Sequence, residues 1–241
     1  MANQEIIRKL EERVLELEQE KKQLLKLVSH DVKSPFNKLF ALSNLLQLVS
    51  ENLNEEQLDY LSRMEWVIKE GLTVVRNLMD LRAIENNSIE LNLEELQLDL
   101  LLDEGFKSYA KQIDAKILSV RPKISKVTAW SDKRAIERVF DNLVSNAVKF
   151  SPKESIISVS LLTNNKVLSL EIITQSGPIP SEEVRNLFKR SSPLTPRPTH
   201  GESALGNGLF IAQKYAHALS GEIVFRQKDS EISFTLELPI K

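Results

Sequence analysis

A chain of 241 residues with 41% hydrophobic and 27% charged side chains has the length for one large or two small domains and the composition of a folded protein, which excludes disorder and a fibrous repeat. Its 32 basic and 34 acidic residues leave a formal charge of −2, so no basic excess marks nucleic acid or an anionic membrane as the main partner. The absence of cysteine removes thiolate zinc sites, iron–sulfur ligation, cysteine nucleophiles and disulfides.

No apolar run approaches the roughly 18 to 20 residues that span a bilayer, and Met1 to Glu12 is charged rather than signal-like, so the expected setting is cytoplasmic and no membrane segment is expected in this chain. From the start, Ile7, Leu10, Val14, Leu17, Lys21, Leu24 and Val28 step alternately by 3 and 4, a period that keeps one seam facing a partner helix. The β-branched residues share one heptad position and the leucines the other, the distribution that favours two parallel strands, with Lys21 as the one polar seam residue. An amphipathic helix packed on its own domain is the plainer alternative. The seam continues past Pro35 as Leu39, Leu42, Leu46, Val49 and Leu53. After a polar turn over Ser50 to Glu56 a second helix follows through Leu58, Leu61, Glu65, Ile68, Leu72, Val75 and Met79. The pair reads as a helical hairpin whose dimer would be a four-helix bundle, ending at Asn86, Asn87 and Ser88.

Beyond Ile89 the periods mix. Strands are predicted over Glu90 to Leu98, Val127 to Trp130, Ile156 to Thr163, Val167 to Thr174, Ile223 to Gln227 and Ile232 to Leu238. Helices are predicted over Leu101 to Ile113, Lys133 to Lys149, Ser181 to Phe188 and Gly208 to Leu219. That order means an α+β layer sandwich. Lys189 to Gly206 is a long stretch rich in Ser, Thr, Pro and Gly with no credible element in it, which means either a functional lid or a misassigned element. The expected divisions are 1–28, a coiled-coil helix; 29–87, the helical hairpin; and 88–241, the sandwich domain.

Three groups of residues can carry chemistry. Of the three histidines, His200 reads as a solvated loop residue and His217 as a partly buried packing residue. His30 stands in Ser29-His30-Asp31-Val32-Lys33-Ser34-Pro35, where Pro35 deprives the Asp31 carbonyl of its helical partner and bends the helix. An imidazole held by a neighbouring carboxylate is a competent nucleophile, although His-Asp pairs also occur on solvated helix faces. Next, Asn142, Asn146 and Lys149 share one helix face and could offer amide oxygens to a hard cation and a point charge to a phosphate. The alternative is a solvated amphipathic helix, but asparagine is a poor helix former and two at this spacing need a reason. Third, Gly206-Asn207-Gly208-Leu209 runs into a helix whose N-terminus suits a phosphate, and the preceding stretch carries Lys189, Arg190 and Arg197 against Glu202. No P-loop or dinucleotide fingerprint occurs.

Together, in this order and spacing, these segments resemble the sensor histidine kinases of bacterial two-component systems. Leu27 to Leu46 resembles the phosphoacceptor box, Val139 to Pro152 the asparagine box and Gly206 to Ala212 the last glycine box. The resemblance implies that His30 accepts the γ-phosphoryl group of ATP, that Asp31 takes its proton, and that Ser34 stands at a position linked to dephosphorylation. It implies further that Asn146 binds Mg²⁺, that Asn142 supports the phosphates and metal shell, that Lys149 reaches the phosphates, and that Phe150 lines the pocket, in an α/β sandwich of the gyrase, chaperone and histidine kinase type. The expected partners are a second copy of the chain, a response-regulator receiver domain that takes the phosphoryl group on an aspartate, and an upstream sensor domain or protein, because no sensor precedes residue 1. One departure stands out. Where the family's first glycine box has a carboxylate for the adenine amine, this chain reads Thr174-Gln175-Ser176-Gly177-Pro178, so either Thr174 or Gln175 takes that place, and Ala204 and Asn207 replace the usual glycine and leucine of the last box. A degenerate dimeric scaffold or a receiver phosphatase acting through Asp31 and Ser34 is the alternative function.

Overall fold

The computed structural model describes residues 2–49, 53–164, 167–190 and 206–239; the side chains of residues 2, 3, 18 and 21–31 also lie outside the description. Contacts divide the chain into two compact units, Met1–Arg82 and Ala83–Lys241.

In the first unit, α1 (Ala2–Leu48) and α2 (Glu55–Glu85) form an antiparallel hairpin. Helix α1 runs through Pro35 without interruption. Asn54 starts α2 with a reciprocal cap: its side-chain oxygen accepts from the Gln57 N–H at 2.9 Å, and its own N–H donates to the Gln57 side chain at 3.0 Å. The predicted second seam packs inward at its middle, where Leu61, Glu65, Ile68 and Val75 are buried and Leu72 is half-buried, while Leu58 and Met79 at its ends are exposed. Gly71 permits the close approach of α1, because a Cβ there would meet the Phe36 ring at 2.5 Å. The first seam behaves differently. Leu39, Leu42, Leu46 and Val49 are exposed within one chain, while Ser43 is buried and Phe36, Phe40 and Gln47 are half-buried. Ile7, Leu10, Val14 and Leu17 are exposed as well.

The second unit is α+β. Strands β2 (Ser119–Ile124), β4 (Ile156–Asn164), β5 (Val167–Gln175), β7 (Glu231–Pro239) and β6 (Glu222–Lys228) make a five-stranded sheet in the order β2-β4-β5-β7-β6. Only β2 and β4 are parallel, and β1 (Leu93–Gln97) pairs separately with β3 (Thr128–Asp132). Alternation sorts the sheet into two faces. Ile157, Val159, Leu161, Leu170, Ile172 and Leu236 are buried beneath α5 (Lys133–Phe150) and α7 (Gly208–Ala218), whereas Ser158, Ser160, Ser169 and Glu171 face outward and are only half-buried. Helix α5 contributes Ile136, Val139, Phe140, Leu143 and Val144 to this core, and α7 contributes Ile211, Ala212 and Tyr215.

Three elements differ from the sequence expectation. Strand β2 was invisible because it is an edge strand, largely exposed, with Pro122 in it, so it has neither apolar alternation nor a need for every backbone donor. The helix predicted over Leu101 to Ile113 begins earlier and breaks at Tyr109 (φ −105°, ψ 9°) into α3 (Leu98–Ser108) and α4 (Ala110–Ala115); Leu98 and Leu102 anchor α3 in the core. The helix predicted over Ser181 to Phe188 is one turn, α6 (Ser181–Val184), followed by turns.

Candidate functional site

Helix α5 carries the asparagine stripe and is held at both ends. At its N-terminus the buried Asp132 caps the helix: Oδ1 accepts from the Ala135 N–H at 2.6 Å and Oδ2 from the Asn92 N–H at 2.7 Å. At its C-terminus the Lys116 ammonium donates to the carbonyls of Val148 and Lys149 at 2.8 and 2.9 Å. A carboxylate at the positive end and an ammonium at the negative end both complement the helix dipole.

Along the stripe the two asparagines differ. Asn142 is 8% exposed; its amide N–H donates to the Arg138 carbonyl at 2.7 Å, and its Oδ1 lies where a Cβ on Gly208 would come within 2.8 Å. It therefore joins the start of α7 to the middle of α5. Asn146 is half-buried one turn on, as are Lys149 and Phe150 beyond it. Beside Asn142, Asp141 accepts from the Tyr109 hydroxyl at 2.8 Å and from the buried Arg138 guanidinium at 3.3 Å. Tyr109, Arg138, Asp132 and Lys116 were not singled out from sequence. An Asp directly before a helical pattern is a readable cap signal, and Arg138 meets Asp141 three residues along the same helix, whereas Tyr109 and Lys116 depend on segments 30 or more residues apart meeting.

Gly206 has φ of 67°, the left-handed conformation that favours glycine, and Gly208 opens α7. Leu209 is buried and its side chain serves packing. Gly177 is exposed and a Cβ there would meet nothing within 4 Å. At the end of β5 the two candidates for the missing carboxylate part company. Thr174 is 7% exposed and lies on the helix-covered face, between Ile157 and Ile232, whereas Gln175 is exposed and opposite Glu231.

In the first unit, His30 and Asp31 lie on the α1 backbone helix, but their side chains fall outside the described residues; Ser34, one turn on, is half-buried. Most of the Pro-containing stretch, with Arg197, His200 and Glu202, also lies outside them; Lys189 and Arg190 are exposed. His217 is exposed on α7 and shares a hydrogen bond of 3.0 Å with Gln213, so it does not fill the packing role expected of it: its position falls on the solvent side of the helix, opposite Tyr215 and Ala216.

Among the described residues no group of three His, Asp or Glu side chains could hold a metal ion. The donors near the stripe are amide oxygens. That set fits Mg²⁺, which keeps several waters and takes few protein ligands when phosphate oxygens complete its shell.

Residues 131–241 match the family described as histidine kinase-, DNA gyrase B-, and HSP90-like ATPase, a stretch that begins in β3 and includes α5, the end of β5 and the Gly206–Gly208 turn. Over 237 residues the chain is 27% identical to the sensor histidine kinase GacS of Pseudomonas protegens, a match covering 93% of this chain and 25% of GacS. It is also 27% identical over 232 residues to the sensor protein VanSC of Enterococcus gallinarum, covering 93% of this chain and 62% of VanSC. The chain is a homologue of the sensor histidine kinases. It spans a quarter to three fifths of the length of these two relatives. Among solved structures, full-length ShkA in complex with AMPPNP shares the fold with a TM-score of 0.66 at 19% identity, over 90% of this homologue and 46% of ShkA. No helix among the described residues is long and apolar enough to cross a membrane.

Proposed function

We propose that the chain is the ATP-dependent kinase core of a two-component system, acting in the cytoplasm as a homodimer. The observation that carries this reading is the union of two segments far apart in sequence: the amide of Asn142, on the face shared with Asn146 and Lys149, abuts the glycine that opens α7. Backbone amides at that turn and the α7 N-terminus would face the phosphates, Lys149 would add a point charge, and Thr174 would lie against the base. Mg²⁺ supplies charge neutralisation on the phosphate oxygens when bound, and Asn146 is the residue that would hold it.

Phosphoryl transfer then needs mainly positioning. A ring nitrogen of His30 attacks the γ-phosphorus, the bond to the β-phosphate bridging oxygen breaks, ADP leaves, and the imidazole N–H proton passes to Asp31. The phosphohistidine would donate to an aspartate of a separate receiver domain, and Ser34 would stand at the position linked to the opposing reaction, in which water cleaves the receiver's phosphoaspartate and inorganic phosphate leaves. The apolar seam left exposed on α1 supports the dimer, since patches of that kind mark association surfaces. The signal would enter through the N-terminal half of α1 from an upstream sensor.

The test is incubation with γ-labelled ATP and Mg²⁺. Acid-labile, base-stable label on the chain that disappears in His30→Gln is expected, and Asn146→Ala should abolish labelling while leaving the fold and dimer intact. The neutral Thr174 favours a second reading, a scaffold or receiver phosphatase that does not use ATP. Absence of label at millimolar ATP, with receiver binding retained, would select it.

A further inference from the structure

Helix α5 ends in a way its own backbone cannot satisfy. The Val148 carbonyl would accept from residue 152, but that residue is Pro152, which has no N–H. The chain turns out of the helix at Ser151 (φ −66°, ψ 132°), which takes the next donor away from the Lys149 carbonyl. Lys116 supplies both. It follows α4, 1% exposed, with its ammonium on the two carbonyls at 2.8 and 2.9 Å. Its own carbonyl accepts from the Glu154 N–H at 2.8 Å, and the Ser119 N–H donates to the Ser155 carbonyl at 2.9 Å. The turn after α4 and the exit of α5 are therefore one stitched assembly. Burying an ammonium is costly unless its donors are used, so a leucine or methionine would suffice were packing its only task.

We propose that Lys116 is a positioning residue for nucleotide phosphates: by gripping the last turn of α5 through the carbonyls of Val148 and Lys149 it sets the direction of Lys149, which stands on that turn. The inference rests on the reading of this face as a nucleotide site. A residue that merely stabilises the fold would leave binding by the folded protein untouched, and one whose loss loosens the whole domain would weaken all ligands alike. A positioning residue for Lys149 weakens ligands that carry phosphates and spares those without.

The experiment measures, on the full chain and well below its melting temperature, the affinity for Mg·ATP by calorimetry and for adenosine by NMR titration. Lys116→Met should weaken ATP by about tenfold and leave adenosine within twofold. Lys116→Arg, which keeps the charge and the donors, should restore most of the difference. Lys116→Met combined with Lys149→Ala should bind ATP no more weakly than Lys149→Ala alone, since both act through one contact. An unchanged ATP affinity despite a lowered melting temperature would overturn the proposal, as would equal losses for ATP and adenosine. Should Lys116→Met fail to fold, Lys116→Gln, with two N–H donors and no charge, is read by the same criteria. A parent chain that binds neither ligand would remove the nucleotide site itself, a result distinct from a parent that binds and a variant that binds equally.

Discussion

At the end of β5 a hydroxyl stands on the covered face of the sheet, and a hydroxyl differs from a carboxylate in strength and in polarity: it can donate as well as accept, and it carries no charge. Changing Thr174 to Asp should tighten ATP by ~1 to 2 kcal/mol, roughly five- to thirtyfold, through a charge-assisted hydrogen bond to the base amine. Gln175→Asp, on the exposed side, should leave the dissociation constant unchanged; calorimetry that finds both variants equal to the parent defeats the assignment. The sequence left those two positions tied, because a shift of one residue along a strand is a change of face, and only pairing decides the register. The glycines separate in the same manner. Gly208→Ala drives a methyl against the Asn142 amide and should cost about 1–3 kcal/mol of thermal stability. Gly177→Ala meets open space and should be neutral or gain up to ~1 kcal/mol.

Elements show where local preference and tertiary demand disagree. Ile117, directly after Lys116, has φ of 54°, a conformation costly for a β-branched side chain and usual for glycine at a helix end. The Ile117 N–H donates to the Asp114 carbonyl and the Leu118 N–H to that of Ile113, closing α4. The isoleucine is 66% exposed and gains little from burial, so Ile117→Gly should raise stability by about 1 kcal/mol in thermal or denaturant unfolding; a loss would mean that the side chain serves something beyond this turn. Helix α5, by contrast, was legible nearly to its ends from its apolar spacing alone, and the Asp132 cap and Pro152 that the structure shows at its two ends agree with those boundaries. Strand β2 was not, since an exposed edge asks little of its side chains.

For the whole molecule, the first unit leaves an unanswered seam. Leu42, Leu46 and Val49 are 57%, 49% and 73% exposed; Leu42 and Val49 keep the heptad position of Ile7 and Val14, and Leu46 stands between them one turn from each. On an isolated chain, Leu42→Glu with Leu46→Glu should change stability by no more than about 0.5 kcal/mol per site, as surface substitutions do. A homodimer through that seam should instead fall apart into monomers in light scattering, and its melting temperature, which rises with concentration in the parent, should lose that dependence. An unaltered molecular mass in the double variant would dismiss the seam as the interface.

Periodicity, caps and turn residues are properties of neighbours along the chain, and from them the sequence alone determined the helical hairpin, the inward face of α5, most strands of the sandwich and the three boxes that mark the histidine kinase resemblance. What needed the tertiary structure were relations between segments that do not know of each other locally: Thr174 rather than Gln175 under the helices, Gly208 against Asn142, Asp132 reaching Asn92, and Lys116 closing a helix that begins 17 residues later. Hydrogen bonds and steric contacts are settled by distance in space, and only chain folding brings those distances about.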